Sequence, residues 1–288
     1  MGPVTFSCTS LSFPMLSLAG ASRVIAALGI PNVDVCVAER ERRVDLRRVL
    51  DDPRRAAEED RRVCSDAGLG IVDVFCVLGR DRTDRPVNAP DPEARAANRR
   101  RLAAVVGYAK RLGATGLTLL PGIEWPDLQD RGFALACEEL SSYVSLAGEC
   151  GLRLSVEPHV ESIIATPSAA GRLVEQVPGL SLTLDYSHFI AGGFDQQEVH
   201  ALAHYAGHVH ARQAAPGRLQ VGQREGVLQF EVILTNLLRS GYRGAVSFEY
   251  VWEPQRGLDN VDVASETVLL HQRLREIAGS AGAIQKLE

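Results

Sequence analysis

Lysine is nearly missing from this sequence: only Lys110 and Lys286 occur in 288 residues. A Schiff-base lysine must be desolvated among other site residues, and neither of these ends an apolar run, which excludes a Schiff-base aldolase. Positive charge is short overall, with 31 Lys and Arg against 36 Asp and Glu and a formal net charge of −5. Nucleic-acid surfaces need a concentrated basic patch, so no nucleic-acid partner is expected. The arginine-rich runs RERRVDLRR and DPRRAAEEDRR interleave bases with acids, as solvated helix faces do. No CxxC pair occurs among Cys8, Cys36, Cys64, Cys76, Cys137 and Cys150, and several of these lie in apolar runs. They read as packing thiols kept in a reducing cytoplasm. No stretch approaches the ~18 apolar residues that a membrane span requires. The first twenty residues lack a cationic start and are broken by serines and Pro14, so no signal peptide is expected.

What the sequence does contain is alternation. Short β-branched apolar runs are followed by longer amphipathic ones, the pattern of parallel strands joined by crossover helices. Eight strands are expected, at Val4–Cys8, Asn32–Val37, Gly70–Val77, Gly116–Pro121, Leu152–Pro158, Leu180–Tyr186, Gly207–Arg212 and Gly244–Tyr250. The segment PEARAANRRRLAAVVGYAKRLGA places apolar residues at helical spacing and Gly113 where a C-cap belongs. Eight such units predict an α/β fold, a single (β/α)8 TIM barrel over residues 1–278 with a C-terminal tail at 279–288. The surplus length is expected in loops, notably 79–92 and 213–226.

In such a barrel the active site gathers at the C-terminal ends of the strands. There the last four strands end in Glu157, Asp185, His210 and Glu249. Any one of these alone would more often cap a helix or pair with an arginine. Three carboxylates and an imidazole in the same relative place predict a shared divalent-cation site. Carboxylate-dominated ligation suits Mn²⁺ first, then Mg²⁺ or Co²⁺, with Zn²⁺ still open. His188, three residues after Asp185, either orients a substrate hydroxyl, shuttles a proton, or only caps the turn at Gly192 and Gly193. His159 stands either just outside the metal ligands or in an ordinary loop. Arg212 is placed to fork onto a substrate oxygen. Glu161, Gln213, Gln220, Trp125, Tyr250 and Trp252 are weaker candidates for sugar contacts. His208 should lie one layer deeper, as a hydrogen-bonded core histidine.

The motifs SVEPH, LTLDYSH, HVHAR and GYRGAVSFEY resemble, in order and position, the strand motifs of the xylose isomerase-like TIM-barrel superfamily. That resemblance implies Glu157, Asp185, His210 and Glu249 as metal ligands, with His188 and Arg212 meeting the substrate. It also implies that Glu157 and Glu249 act as an acid/base pair about a substrate carbon. A metal on the carbonyl of an α-hydroxy ketone would acidify the adjacent carbon and leave a carboxylate to move the proton through an enediolate.

The expected activity is therefore a metal-dependent sugar isomerase or 3-epimerase acting on a sugar or polyol. The rival is a dehydratase or β-elimination lyase with His159 or His188 as base; members that cleave 3-keto C-glycosides do so with a small β-protein partner. A non-catalytic sugar-binding or scaffold barrel is the alternative of another class. Barrels of this kind often pair, so a homo-oligomer is one expectation, which no surface stripe in the sequence decides. Departures narrow the field. No histidine precedes His159, against the endonuclease branch with its first-half histidines, and the shortage of lysine excludes the lysine-assisted hydride shift of xylose isomerases proper.

Overall fold

The computed structural model describes residues 4–39, 44–128 and 130–284. Its strands are β1 (Thr5–Thr9), β2 (Asn32–Ala38), β3 (Gly70–Cys76), β4 (Gly116–Leu119), β5 (Arg153–Val156), β6 (Ser181–Asp185), β7 (Ala206–Ala211) and β8 (Ala245–Phe248). Each is parallel to its neighbours, and β1 pairs with both β2 and β8, so the sheet closes as the expected eight-stranded barrel. The ends differ from expectation by at most two residues. In β5 the ladder stops at Val156, shortly before Pro158, which has no N–H to donate. A two-residue strand, Val44–Asp45, adds to the outer edge of β2 and was not expected. The first four residues of the run RERRVDLRR lie outside the described residues, and its end enters the helix Leu46–Asp51.

Local chemistry sets the helices between strands. Pro92–Leu112 starts where the Asp91 carboxylate accepts from the Glu93 and Ala94 amides and ends at Gly113, whose φ of 94° only glycine adopts without strain. Gly241, at φ 86°, closes Phe230–Arg239 in the same way. The last helix runs from Val263 to Ile284, and the final four residues of the expected tail lie outside the described residues. Among the described residues no helix is long and apolar enough to cross a membrane.

The alternation along each strand separates two interiors. Outward-facing Val35, Val74, Leu117, Leu154, Leu184 and Val209 are buried under the helices. Inside the barrel each strand contributes one polar residue: Ser7, Asp34, Asp73, Thr118, Ser155, Thr183, His208 and Ser247, none more than 1% exposed. Thr118 and Thr183 hydroxyls meet across the interior at 2.6 Å, and His208 Nε2 reaches Asp34 Oδ2 at 2.7 Å. Barrels of this type usually fill that space with branched apolar side chains. Here it is polar, and two residues further along β5 to β8 the same face reaches Glu157, Asp185, His210 and Glu249.

The apolar layer between strands and helices carries the stability. Leu117→Ala, at a fully buried site on β4, is expected to cost roughly 2–5 kcal/mol in a denaturant titration, because the cavity cannot collapse between two rigid layers. A loss below about 1 kcal/mol would show that the layer relaxes around the gap.

Candidate metal centre and substrate pocket

Glu157 and Glu249 directly follow β5 and β8, each anchored by its own amide, to Leu119 O at 3.0 Å and Ala211 O at 3.1 Å. Asp185 closes β6 opposite His210 on β7. The four expected ligands are thus brought to one mouth, with exposures of 4%, 1%, 2% and 3% for Glu157, Asp185, His210 and Glu249. His210 Nδ1 lies 2.6 Å from Glu157 Oε1 and 3.3 Å from Glu249 Oε2. Ligand atoms of Glu157, His210 and Glu249 lie within 4.8 Å of one another; Asp185 forms a second such group with Glu157 and His188. The four expected ligands, with His188, therefore arrive as two overlapping triads that share Glu157.

Asp185 does two jobs. Its Oδ1 accepts from the Ser187 amide at 2.8 Å and so starts the helix Tyr186–Ala191, while Oδ2 faces the mouth. That helix lifts His188 back over the site. Its Nε2 is 3.8 Å from Asp185 Oδ2, and its Nδ1 accepts from the Val160 amide at 3.3 Å. Gly192 is bonded to the carbonyl of His188, not to its ring.

Arg212 stands between the two triads. Its NH2 donates to Asp185 Oδ2 at 2.9 Å and approaches Glu249 Oε2 at 3.2 Å and His188 Nε2 at 3.1 Å. Its Nε donates to Ser187 Oγ at 2.9 Å and its NH1 to the Glu249 carbonyl at 3.2 Å. Three carboxylates against one guanidinium leave two negative charges in a nearly buried cluster. Uncompensated charge of that kind is too costly to keep in a low-dielectric site.

Protonation shows the same strain. Burial, then the charge of Glu249, pushes Glu157 up to about 7. Burial opposes ionisation of Glu249 too, but His210 and Arg212 outweigh it and hold that carboxyl at about 2. His210 is held well above its usual range: burial disfavours its charge, and the two glutamates more than compensate. Protons are thus balancing charge that a divalent cation would neutralise outright. The donor set of carboxylate oxygens and one imidazole fits such an ion. Glu249 Oε2 has only the ion-pair contacts with Arg212 and His210 at 3.2 and 3.3 Å, so it can turn to such an ion.

A cavity of about 140 Å³ opens above these groups. Glu157, His159, His188, Arg212 and Glu249 line it from below, Phe75, Leu120 and Val251 form apolar walls, and Arg82 and Arg256 reach in from the loops after β3 and β8. His159 donates from Nδ1 to the Val160 carbonyl at 2.6 Å, which fixes its tautomer. Its Nε2 then carries a free lone pair without a partner, and burial lowers the ring to about 4. Burial and the charge of Arg212 likewise hold His188 neutral. The backbone is strained nearby, with Glu161 at φ 68°.

Other expected contacts are placed elsewhere. The Gln213 amide is closed onto the backbone of Leu228 by bonds of 2.9 and 3.1 Å, and Gln220 is closed in the same way onto Val251. Tyr250 is fully buried with its hydroxyl on the Gln213 amide. Glu161 points outward to Arg82 at 2.5 Å, Trp125 packs beside Gly132, and Trp252 is 42% exposed. None of these six lines the cavity. Conversely, the sequence reading missed Phe75, Arg82 and Arg256. The long loop at 79–92 was the one signal that pointed toward Arg82.

In the metal-free protein Glu157 keeps its proton to about pH 7, whereas an unperturbed glutamate loses it near 4.5. The folded state binds more protons than the unfolded chain between those values, so stability falls as pH rises through them. His210 extends that fall upward. His159 and His188 act in the opposite sense, but only below 6.5, where an unfolded histidine charges. The unfolding midpoint of metal-free protein should therefore drop from pH 6.5 to about pH 8, and saturating Mn²⁺ should flatten the drop. A flat metal-free profile over that range would contradict the charge assignment.

The family model of the xylose isomerase-like TIM barrel matches residues 22–273. A search of the curated proteins finds no match. Among solved structures, a xylose isomerase-like TIM-barrel protein from Mycobacterium smegmatis in complex with magnesium is 19% identical, with a TM-score of 0.71 over 97% of each chain. D-Psicose 3-epimerase with D-tagatose, from Clostridium cellulolyticum H10, is 15% identical, with a TM-score of 0.72 over 95% of this chain and 99% of its own. The 3-keto-D-glucoside 4-epimerase from E. coli, in its apo form, is 16% identical, with a TM-score of 0.66 over 89% and 96%. By fold, by motif and by the length of the match, the chain belongs to the xylose isomerase-like TIM-barrel family.

Proposed function

We propose that this protein is a divalent-metal-dependent isomerase or 3-epimerase that moves a proton beside the carbonyl of a sugar or polyol. The observation that carries the reading is the pair Glu157 and Glu249, two buried glutamates on either side of His210, at 2.6 and 3.3 Å from its Nδ1, that both line the cavity. Two carboxylates that face one substrate pocket can serve as base and acid about a substrate carbon. One accepts the proton and the other returns it.

Glu157, Asp185, His210 and Glu249 would hold the ion, and when bound it supplies Lewis-acid stabilisation to the substrate's carbonyl and neighbouring hydroxyl oxygens. Mn²⁺ fits the oxygen-rich donors best, and the magnesium in the mycobacterial relative keeps Mg²⁺ close behind. Arg212 braces Asp185 and Glu249 and presents its remaining edge to the cavity. His188, neutral and buried, orients a substrate hydroxyl. The epimerases among the structural neighbours support the substrate class.

His159 favours a second reading. A neutral imidazole with a free Nε2 in the cavity is a ready base for a proton whose removal expels a neighbouring group. That would make the protein a dehydratase or β-elimination lyase on a keto sugar. The scaffold reading is weaker, because a site without turnover has no reason to keep three buried carboxylates together.

The readings separate on incubation of Mn²⁺-loaded protein with ketoses, inososes and 3-keto glycosides in D₂O. Epimerisation or isomerisation leaves deuterium in recovered sugar with nothing lost. Glu249→Gln should then lower the rate by roughly 10²–10⁴-fold. Release of water or an aglycone, abolished by His159→Ala, would establish elimination instead, and neither outcome would leave a binding barrel.

A further inference from the structure

Beneath the metal centre lies a group that the proposed reaction does not use. His210 turns Nδ1 to the two glutamates, and its other nitrogen, Nε2, has no hydrogen-bond partner among the described residues although the residue is only 2% exposed. An imidazole that holds a metal through one nitrogen normally donates the N–H of the other to a carboxylate, carbonyl or water, which fixes both tautomer and ring plane.

A carboxylate is close by. One oxygen of Asp34 and ring nitrogens of His208 and His210 lie within 4.8 Å of one another. Asp34 Oδ2 is held at 2.7 Å by His208 Nε2, and Oδ1 has no hydrogen-bond partner among the described residues. The rings of His208 and His210 meet edge to face, 5.3 Å between centroids at 86°, so the first histidine buttresses the second. Both Asp34 and His208 are fully buried at a level where a barrel normally places branched apolar residues. A buried acid and imidazole are weak contributors to stability, and apolar groups would fill the space at least as well. Their cost is explained if they serve His210.

We propose that Asp34, steadied by His208, is a positioning residue for the metal centre. Its carboxylate accepts a hydrogen bond from the His210 Nε2–H, directly or through one bridging water of the kind that spans such gaps. Nδ1 is thereby left deprotonated and aimed at the ion between Glu157 and Glu249. The inference rests on the metal-site reading above and adds a part beneath it that touches neither ion nor substrate.

Two measurements test it. In Mg²⁺-loaded wild type, ¹⁵N NMR of the histidine rings should show the His210 proton on Nε2; a proton on Nδ1 would overturn the proposal without recourse to any variant. In calorimetric titration with Mn²⁺, Asp34→Asn should bind roughly 10–100-fold more weakly than wild type while its metal-free unfolding midpoint stays near the wild-type value. His208→Gln, which keeps a donor toward Asp34, should lose less than His208→Ala. Binding by Asp34→Asn within twofold of wild type would overturn the proposal; should that variant not fold, the wild-type tautomer decides. Absence of Mn²⁺ binding by wild type is a different failure, that of the metal-site reading itself.

Discussion

Like charges gathered in a nearly buried cluster are the constraint on which the rest of this molecule depends. Glu157, Asp185 and Glu249 are each at most 4% exposed, with Arg212 and His210 in direct contact against them. Coulombic repulsion at low dielectric would drive such a group apart or into its protonated form. The barrel prevents the first, because each residue is fixed at or beside the end of a strand hydrogen-bonded on both sides. Partial protonation of Glu157 and the raised pKa of His210 are the second, while His210 and Arg212 keep Glu249 ionised. A divalent ion resolves both at once, which is why binding it should release protons.

The polar barrel interior extends the same logic downward. Asp34 and Asp73 lie inside at no more than 1% exposure, with Thr118 donating to Asp73 Oδ2 at 2.6 Å and His208 on Asp34. Rigidity comes from elsewhere, from the apolar layer between strands and helices. That division lets the centre of the barrel carry groups chosen for what they do to the mouth. The strained Glu161 and the Ser162 hydroxyl, which accepts from the amides of His159 and Ile164 at 3.3 Å, hold the β5 loop in one conformation over the cavity.

The barrel was legible because its signals are local and repeated. Asp91 and Gly113 delimit a helix by backbone chemistry alone, and the alternation around Thr183, Asp185, His208 and His210 states which face looks inward. The meeting of Glu157, Asp185, His210 and Glu249 followed from one rule about strand ends. Three things were not legible. Gln213 and Gln220 are drawn back into loop backbones, since a loop folded over itself must satisfy its own amides and carbonyls, and no periodicity foretells which side chain will do so. Arg82 and Arg256 reach the cavity through loop paths set by tertiary packing. The position of Arg212 between the two triads depends on the Ser187 hydroxyl at 2.9 Å, a contact between residues 25 apart in sequence.

The central claim is that these four side chains hold one divalent ion. X-ray diffraction from crystals grown with Mn²⁺, collected near the manganese absorption edge, tests it most directly. The account predicts a single strong anomalous peak per chain, bounded by Glu157, Asp185, His210 and Glu249, with Arg212 beside it. No peak there, or a peak only at surface acids such as Glu58 and Glu138, would contradict it.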